Sequence, residues 1–493
     1  MQIIGQQYPK RWFWHGILTA KYNYLPEHGK SNTLIVVGLH ALMATFDKTG
    51  TLRLAATNRQ ILSLALPISF ALLVPQFNYL VNSLFLSRLG TGYLGAAGIT
   101  GVYYLIFAAI GYGLNNGLQA LISRRAGQDR LEDIGSLSVQ SMYLSFFIAA
   151  FGIIVTYAFA PVILRNSVDP ALYKQSLSFL QIRIWGLPFL YLYQMRNGLL
   201  VGTNQSRLLI WGTLAETIAN VVLDYCLIFG HWGFPAMGFN GAAYASIAAE
   251  TIGMLAVFFI IKRKGLSDRF NLFSDMRLKW VEMKLLLTQS SPLIVQYAIS
   301  IISWEFFFIL VSHHGRVALD ISQFMRIIIG FLGVFIWSFA STTNTMVSNF
   351  IGQDKRDLVM PLISKILRLS IAFSLMLSIP LQLFPESLLS MMQDDPAFIT
   401  QGVPVIRVVS VAMLMMSFST IWLSAVTGTG NTAVNLAIEA ITITGYCLYV
   451  WLVLAKFNLS ITWGWMSEWL YWLSMFSMSF LYMRSGRWRR KEI

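Results

Sequence analysis

Apolar runs of twenty or more residues follow one another from residue 61 to residue 484, parted by short polar loops. The alternation that marks a half-buried strand is missing, whereas each run is long enough for an α-helix to cross a hydrocarbon layer about 30 Å thick. Helices satisfy their own backbone hydrogen bonds in lipid, so the pattern predicts an all-α integral membrane protein. Twelve spans are expected, at about 61–86, 94–121, 137–161, 177–201, 207–229, 240–262, 284–311, 318–348, 361–383, 404–426, 432–454 and 460–484.

The chain also writes part of itself twice. Pro67 recurs 225 residues later as Pro292, Ser87 as Ser312, Gly90 as Gly315, and the triplet Gly127, Gln128, Asp129 as Gly352, Gln353, Asp354. Each half holds six spans, an even number, so both enter the bilayer in the same sense. The two six-helix lobes should then be related by a pseudo-two-fold axis along the membrane normal, a plan common among secondary transporters. The expected organisation is an N-terminal extension over 1–59, poorly ordered; a first lobe over 60–265; an inter-lobe linker over 266–283; a second lobe over 284–485; and a basic tail over 486–493.

Composition agrees with this class: 56% of the residues are hydrophobic, only 12% are charged, and the mean hydropathy is +0.60. The net charge of +14 could suggest nucleic acid, but Lys and Arg cluster between apolar runs. Lys262, Arg263, Lys264, Arg269, Arg277, Lys279 and Lys284 follow span 6, and Arg484, Arg487, Arg489, Arg490 and Lys491 end the chain. By the positive-inside rule both termini are expected in the cytoplasm, in a multi-pass protein of the inner (plasma) membrane. The partners expected are the lipid bilayer and a small organic substrate, without nucleic acid, for a chain acting as a monomer. Cys226 and Cys447 lie inside apolar runs and read as packing residues rather than a disulfide.

Charged groups within a span cost about 2.5–3.5 kcal/mol on the mildest scale and therefore mark candidate sites. Glu216, Asn220 and Asp224 are spaced i, i+4, i+8 in span 5, on one helix face, and Asn78 and Asn82 share that spacing in span 1. Asn82 lies eight residues before Gly90, Asp224 six before Gly230, Ser246 eight after Gly238 and Glu305 ten before Gly315. At about 1.5 Å per residue these groups lie at similar heights in the outer half of the bilayer. They can form a cation-coupling site of Asp224, Asn220, Asn82 and Ser246, with Glu305 facing it from the other lobe and Asn78 and Asn344 joining Glu305 as candidate substrate contacts. Hard cations take such oxygen ligands, so Asp224 and Asn220 would hold Na+ in a sodium-coupled protein; a buried carboxylate can carry H+ instead. The alternative is interhelical hydrogen bonding that only locks the bundle.

Other polar groups carry structural expectations. Arg183 and Arg407 are expected to snorkel to the interface, Arg196 and Arg326 to pair with unnamed carboxylates, and Glu216 and Glu439 to share a structural role as near repeat mates. The run Ser341, Thr342, Thr343, Asn344, Thr345 suits either a water-lined cavity or helix-to-helix bonding. Trp463, Trp465, Trp469 and Trp472 read as an interfacial belt, and Met413, Met415 and Met416 as core filling. No nucleotide-binding, zinc-protease or nucleophile-elbow motif occurs, which argues against an enzyme, and no cofactor is expected beyond Na+ or H+ as coupling ion.

Several motifs in order carry a resemblance. Leu86-Ser87-Arg88-Leu89-Gly90, Arg124-Arg125-Ala126-Gly127-Gln128, Gly202-Thr203-Asn204, Asn220 through Gly230, Gly233 through Gly238 and Gly428-Thr429-Gly430-Asn431 together resemble the multidrug and toxic compound extrusion (MATE) family over residues 57–485. The resemblance implies a twelve-helix antiporter that exchanges Na+ or H+ for organic, often cationic, compounds by rocking between two states. Asn220 and Asp224 match the family's Asn-x-x-x-Asp, and Ser246 stands where a Thr is usual. Glu305 matches the second of two seventh-helix carboxylates, the first falling at Ser300. A first-helix aspartate would fall at Asn82, where asparagine can ligate but cannot titrate. The rival readings are a flippase for lipid-linked saccharides, which would favour a strongly basic cavity, and a membrane-embedded enzyme or channel.

Overall fold

The computed structural model describes residues 52–168 and 170–493. Of the N-terminal extension expected over 1–59, only Leu52–Arg59 falls within the described residues. The described chain is helical throughout, in the order the apolar runs predict. The first half runs α1 Asn58–Ser87, α2 Thr91–Gly127, α3 Leu131–Ser167, α4 Tyr173–Arg183, α5 Leu187–Gly202, α6 Leu208–Phe229, α7 Phe239–Arg263 and the short α8 Leu266–Arg269. The second runs α9 Trp280–Ser312, α10 Arg316–Gly352, α11 Val359–Leu383, α12 Pro385–Ser390, α13 Pro396–Thr429, α14 Thr432–Val450, α15 Ile461–Trp465 and α16 Ser467–Arg484.

Ten of the helical stretches among the described residues are long and apolar enough to cross a membrane. The remaining two crossings are the fourth and the twelfth. The fourth is split into α4 and α5 by a 3-10 turn at Ile184–Gly186, where Gly186 weakens the helix and Pro188 supplies no backbone N–H. The twelfth, α16, is diluted by serines and aromatics and carries Glu468 near its start.

The repeat is legible in the backbone as well. Gly90 and Gly315, with φ of 132° and 97°, precede the second helix of each half, a conformation that glycine adopts without a side-chain penalty. Asp129 and Asp354 close the matching turns after α2 and α10 with φ of 57° and 60°.

The halves are not cleanly separate at one end. Ile61, Leu64 and Ala65 at the start of α1 are fully buried in a core shared with Phe339, Phe350, Ile363 and Trp422 of the second half. Reciprocally, Met283 and Leu286 at the start of α9 lie in the core of the first half. Each half therefore lends the N-terminal end of its first helix to the other. Within the linker, Gln140 of α3 donates to the Arg277 carbonyl at 3.0 Å and accepts from the Lys279 N–H at 3.1 Å, which ties this segment to the first half.

Candidate functional site

Two helices build the polar cluster of the first half. On α6 the i, i+4 spacing puts Asn220 and Asp224 on one face, and α1 presents Asn78 and Asn82 to it. Asn78 Nδ2 donates to Asn220 Oδ1 at 2.6 Å, and Asn82 Nδ2 donates to the same oxygen at 3.1 Å. Asp224 is 0% exposed, and neither of its carboxylate oxygens has a hydrogen-bond partner. The side-chain oxygens of Asn78 and Asn82 are likewise buried without a donor. Four oxygens unmatched by any N–H or O–H, two of them on a carboxylate, are a set that a hard cation or a proton on Asp224 would satisfy. Ser246 is half-buried on α7, which packs along α6, but no hydrogen bond joins it to the cluster.

Glu305 and Asn344 lie elsewhere. Glu305 pairs with Arg326 at 3.5 Å, each about a quarter exposed, and the guanidinium lies over the rings of Trp304 and Phe308 at 5.1 and 5.3 Å. Arg326 thus finds the carboxylate partner expected of it. Helical spacing puts Glu305 on the face of α9 that, nearer its start, carries Ile294 and Tyr297 against α2. Asn344 is 2% exposed, in the seam between halves, and donates to the Asn116 carbonyl at 3.1 Å.

That seam uses the polar run of α10. Gln119 donates to Thr345 Oγ1 at 2.7 Å and to the Ser341 carbonyl at 2.9 Å, Ser123 donates to the Thr345 carbonyl at 2.7 Å, and Ser348 donates to the Ala120 carbonyl at 2.6 Å. Arg124 reaches from α2 to the Gly428 and Thr429 carbonyls at 3.0 and 3.2 Å, where the C-terminus of α13 presents its negative end. Small residues let the backbones meet: a Cβ at Gly113 would stand 2.6 Å from the Ile294 nitrogen. Of the two readings of the Ser341–Thr345 run, helix-to-helix bonding is the one realised here. Across the seam's far edge, Phe77 of α1 meets Phe331 of α10 with ring centroids 5.1 Å apart. Most of the hydrogen bonds between the halves lie at the ends of α2 and α10 that carry Gly127 and Gly352, away from Glu305 and Asn82; nearer the middle, Asn116 Nδ2 of α2 donates to Tyr297 OH of α9 at 2.9 Å, and Ser69 of α1 bonds Ser338 of α10 at 2.6 Å.

Arg183 departs from its expected snorkelling. It forms a two-pronged pair with Glu250 at 2.5 and 2.9 Å and lies 3.7 Å above the ring of Tyr104. The break between α4 and α5 frees it to turn inwards, and an acid plus an aromatic face in a low-dielectric interior holds it there. Arg407, by contrast, is exposed. Arg183→Met leaves Glu250 buried and unpaired, at a cost of about 3–5 kcal/mol. The melting temperature of the detergent-solubilised chain should fall accordingly, and Arg183→Met/Glu250→Met should recover most of the loss; a double variant no more stable than the single one would contradict this pairing.

The expected tryptophan belt is also corrected. Trp465 is fully buried and donates to Ser322 at 3.1 Å, Trp469 donates to the Val408 carbonyl at 2.9 Å, and Trp472 donates to Glu468 at 3.0 Å; Trp463 alone of the four is exposed. Glu216 packs against Gly253 of α7 beside Tyr193, whereas Glu439 takes its hydrogen bonds from α9 and α16, so the two repeat mates have different surroundings. Which acid meets which donor is a contact between distant segments, and no local sequence signal carries it.

Comparison with known proteins gives one coherent result. A family model described as MatE matches residues 67–226 and 292–450, more than half the chain and one match per half. The chain is 22% identical over 449 residues to a probable multidrug resistance protein NorM of Thermotoga maritima, covering 88% of this chain and 94% of that one. It is 24% identical to a protein of the same description from Synechocystis, covering 73% and 79%. Among solved structures it resembles an outward-facing multidrug resistance MATE family transporter of the MOP superfamily, with a TM-score of 0.82 at 17% identity, over 90% of this chain and all of that one. It also resembles a MOP superfamily transporter from Pyrococcus furiosus, with a TM-score of 0.80 at 15% identity.

Proposed function

The chain belongs to the MatE family of membrane transporters, and from that premise we propose that it exports small organic, drug-like and cationic compounds in exchange for Na+ or H+. The observation that carries the coupling is Asp224: a carboxylate with no exposed surface, no ion pair and no hydrogen bond among the described residues, set beside asparagine oxygens that also lack donors. Such a charge is tolerated in the interior only when a cation or a proton neutralises it. Asp224, with the Asn78 and Asn82 oxygens, would hold the ion; a bound cation supplies the positive charge that these residues lack. Asn220 acts by positioning, since its Oδ1 accepts from both asparagines and so ties α1 to α6.

The gate follows from the seam. Its Arg124, Arg125 and Arg356 end supports a cytoplasmic placement by the positive-inside rule, with both termini on that side of the plasma membrane. A cleft formed by parting of the halves at the opposite end would then face outwards, and the Glu305–Arg326 pair, on the face of α9 that packs on α2, would offer a carboxylate to a cationic substrate. Exchange requires the α2–α10 seam to part and the outer ends to close.

Proteoliposomes test this directly. Efflux of ethidium or norfloxacin should accelerate under an imposed Na+ gradient or an imposed pH gradient, applied separately. Transport indifferent to both gradients would remove the coupling; failure to move any organic cation would remove the substrate class. Asn82→Asp adds a titratable group to the cluster and should shift the pH or Na+ dependence of transport. An unchanged profile would mean that α1 does not contribute to ion binding.

A further inference from the structure

A second set of buried acids lies in the other half. Glu439 of α14 is 1% exposed and accepts from Ser300 Oγ at 2.6 Å and Tyr471 OH at 2.5 Å on one oxygen, and from Gln296 Nε2 at 3.4 Å on the other. Three residues before Tyr471 on α16 is Glu468, 8% exposed, which accepts from the Trp472 indole at 3.0 Å. Neither acid takes part in any ion pair among the described residues; in this half Arg316, Arg326, Arg356 and Arg489 pair with other acids.

The titratable groups facing the pair are tyrosines: Tyr297 of α9, Tyr446 of α14 and Tyr471 of α16. Around them are polar groups short of partners. Tyr446 OH and Ser467 Oγ, both more than nine-tenths buried, have only each other for a partner, and Gln296 Oε1 beside Glu439 and Thr442 Oγ1 one turn along from it have none. The Tyr446 and Tyr471 rings meet edge-on at 5.7 Å.

Two carboxylates in one apolar bundle without a base cannot both stay ionised. Glu439 already receives three donors, which leaves few free positions for a metal ion. We propose that Glu439 and Glu468, linked through Tyr471 and Tyr446, form a second proton-carrying site in the second half, separate from Asp224. Glu468 stands at the start of α16, near the outer end of its span, and Tyr446 follows Glu439 by seven residues, or about 10 Å of helix. A proton from outside water therefore binds first at Glu468, forming its carboxyl O–H. It passes by hydroxyl exchange through the tyrosines to Glu439, and returns to water when that O–H breaks.

The inference rests on the chain being an ion-coupled transporter, but its test does not. Infrared difference spectra of the full chain in nanodiscs, titrated in pH without Na+, read the C=O band of buried protonated carboxyls. Asp224→Asn should retain a titrating band, and Asp224→Asn/Glu439→Gln should lose or shift it, as should Asp224→Asn/Glu468→Gln. A band absent from Asp224→Asn, or untouched by both glutamine changes, overturns the proposal, as does a band removed by Na+ at constant pH, which would assign the site to a metal cation. If the glutamine variants fail to insert, Tyr471→Phe keeps both acids and breaks the link, and the proposal then requires the band to shift. Loss of gradient-driven transport with the band intact would count against the coupling reading and leave this site standing.

Discussion

Asp224→Asn is expected to abolish ion-driven efflux while the protein still inserts and folds. The two side chains are nearly the same size, so packing between α1 and α6 survives, and an amide removes the unpaired charge that burial makes costly. A charge costs about 2.5–3.5 kcal/mol near mid-membrane on the mildest scale, and ion binding, on the proposed coupling, would relieve it. At 1.4 kcal/mol per tenfold, its removal amounts to roughly a hundredfold loss of coupling. The measurement is dye or norfloxacin efflux under an imposed gradient in vesicles of matched protein content. Undiminished gradient-driven transport in this variant would place the coupling ion elsewhere. Downhill movement of substrate without a gradient should persist, because the seam and the Glu305–Arg326 pair are untouched.

A second large effect is expected at the seam. Gly127 and Gly352 face each other where the halves touch: a Cβ at Gly127 would fall on the Asn349 carbonyl, and one at Gly352 on that of Arg124. Backbone atoms cannot move aside as a flexible side chain can, so Gly127→Leu overpacks the closed seam by about 1–3 kcal/mol. This penalty disappears once the seam parts, and the equilibrium should shift roughly ten- to hundredfold towards the state open at that end. Ser348 is fully buried in the seam, which makes Ser348→Cys a reporter in a chain whose Cys226 and Cys447 are alanine. A membrane-impermeant thiol reagent applied from the side of Arg124, Arg125 and Arg356, proposed above to be cytoplasmic, should label it far faster with Gly127→Leu than without. Equal labelling would show that this contact does not hold the gate. Outward transport should slow in the same variant, since the ion would meet an inner-open cluster for most of the cycle.

These two experiments draw on information of different kinds. Asp224 stands out in the sequence because a carboxylate in an apolar run is rare and helical spacing ties it to Asn220 on one face. The seam glycines stand out only as repeat landmarks; that they are points of near backbone contact needs both halves in place. The same holds for the ion pairs. Arg183 reads as an interfacial residue until the turn at Ile184–Gly186 swings it to Glu250, and Arg326 has no evident partner until α9 and α10 lie side by side. The tryptophans before and in α16 looked like an interfacial belt because aromatic clusters at span ends usually are; three of their indole N–H groups instead find acceptors inside the bundle.

Apolar run length, the 225-residue repeat and the spacing of polar groups within one helix were sufficient to establish twelve crossings, two related halves and the placement of Asn220 and Asp224 on one face of α6. All of these depend on periodicity within short segments, which the chain carries locally. Tertiary structure alone decided that α1 and α9 begin in each other's half, that Glu305 answers Arg326, and that Glu439 is gathered with Ser300 and Tyr471 away from any base. Each of those depends on how one helix is rotated against another, and that rotation is set by packing between residues far apart in the chain, for which no single segment holds the information.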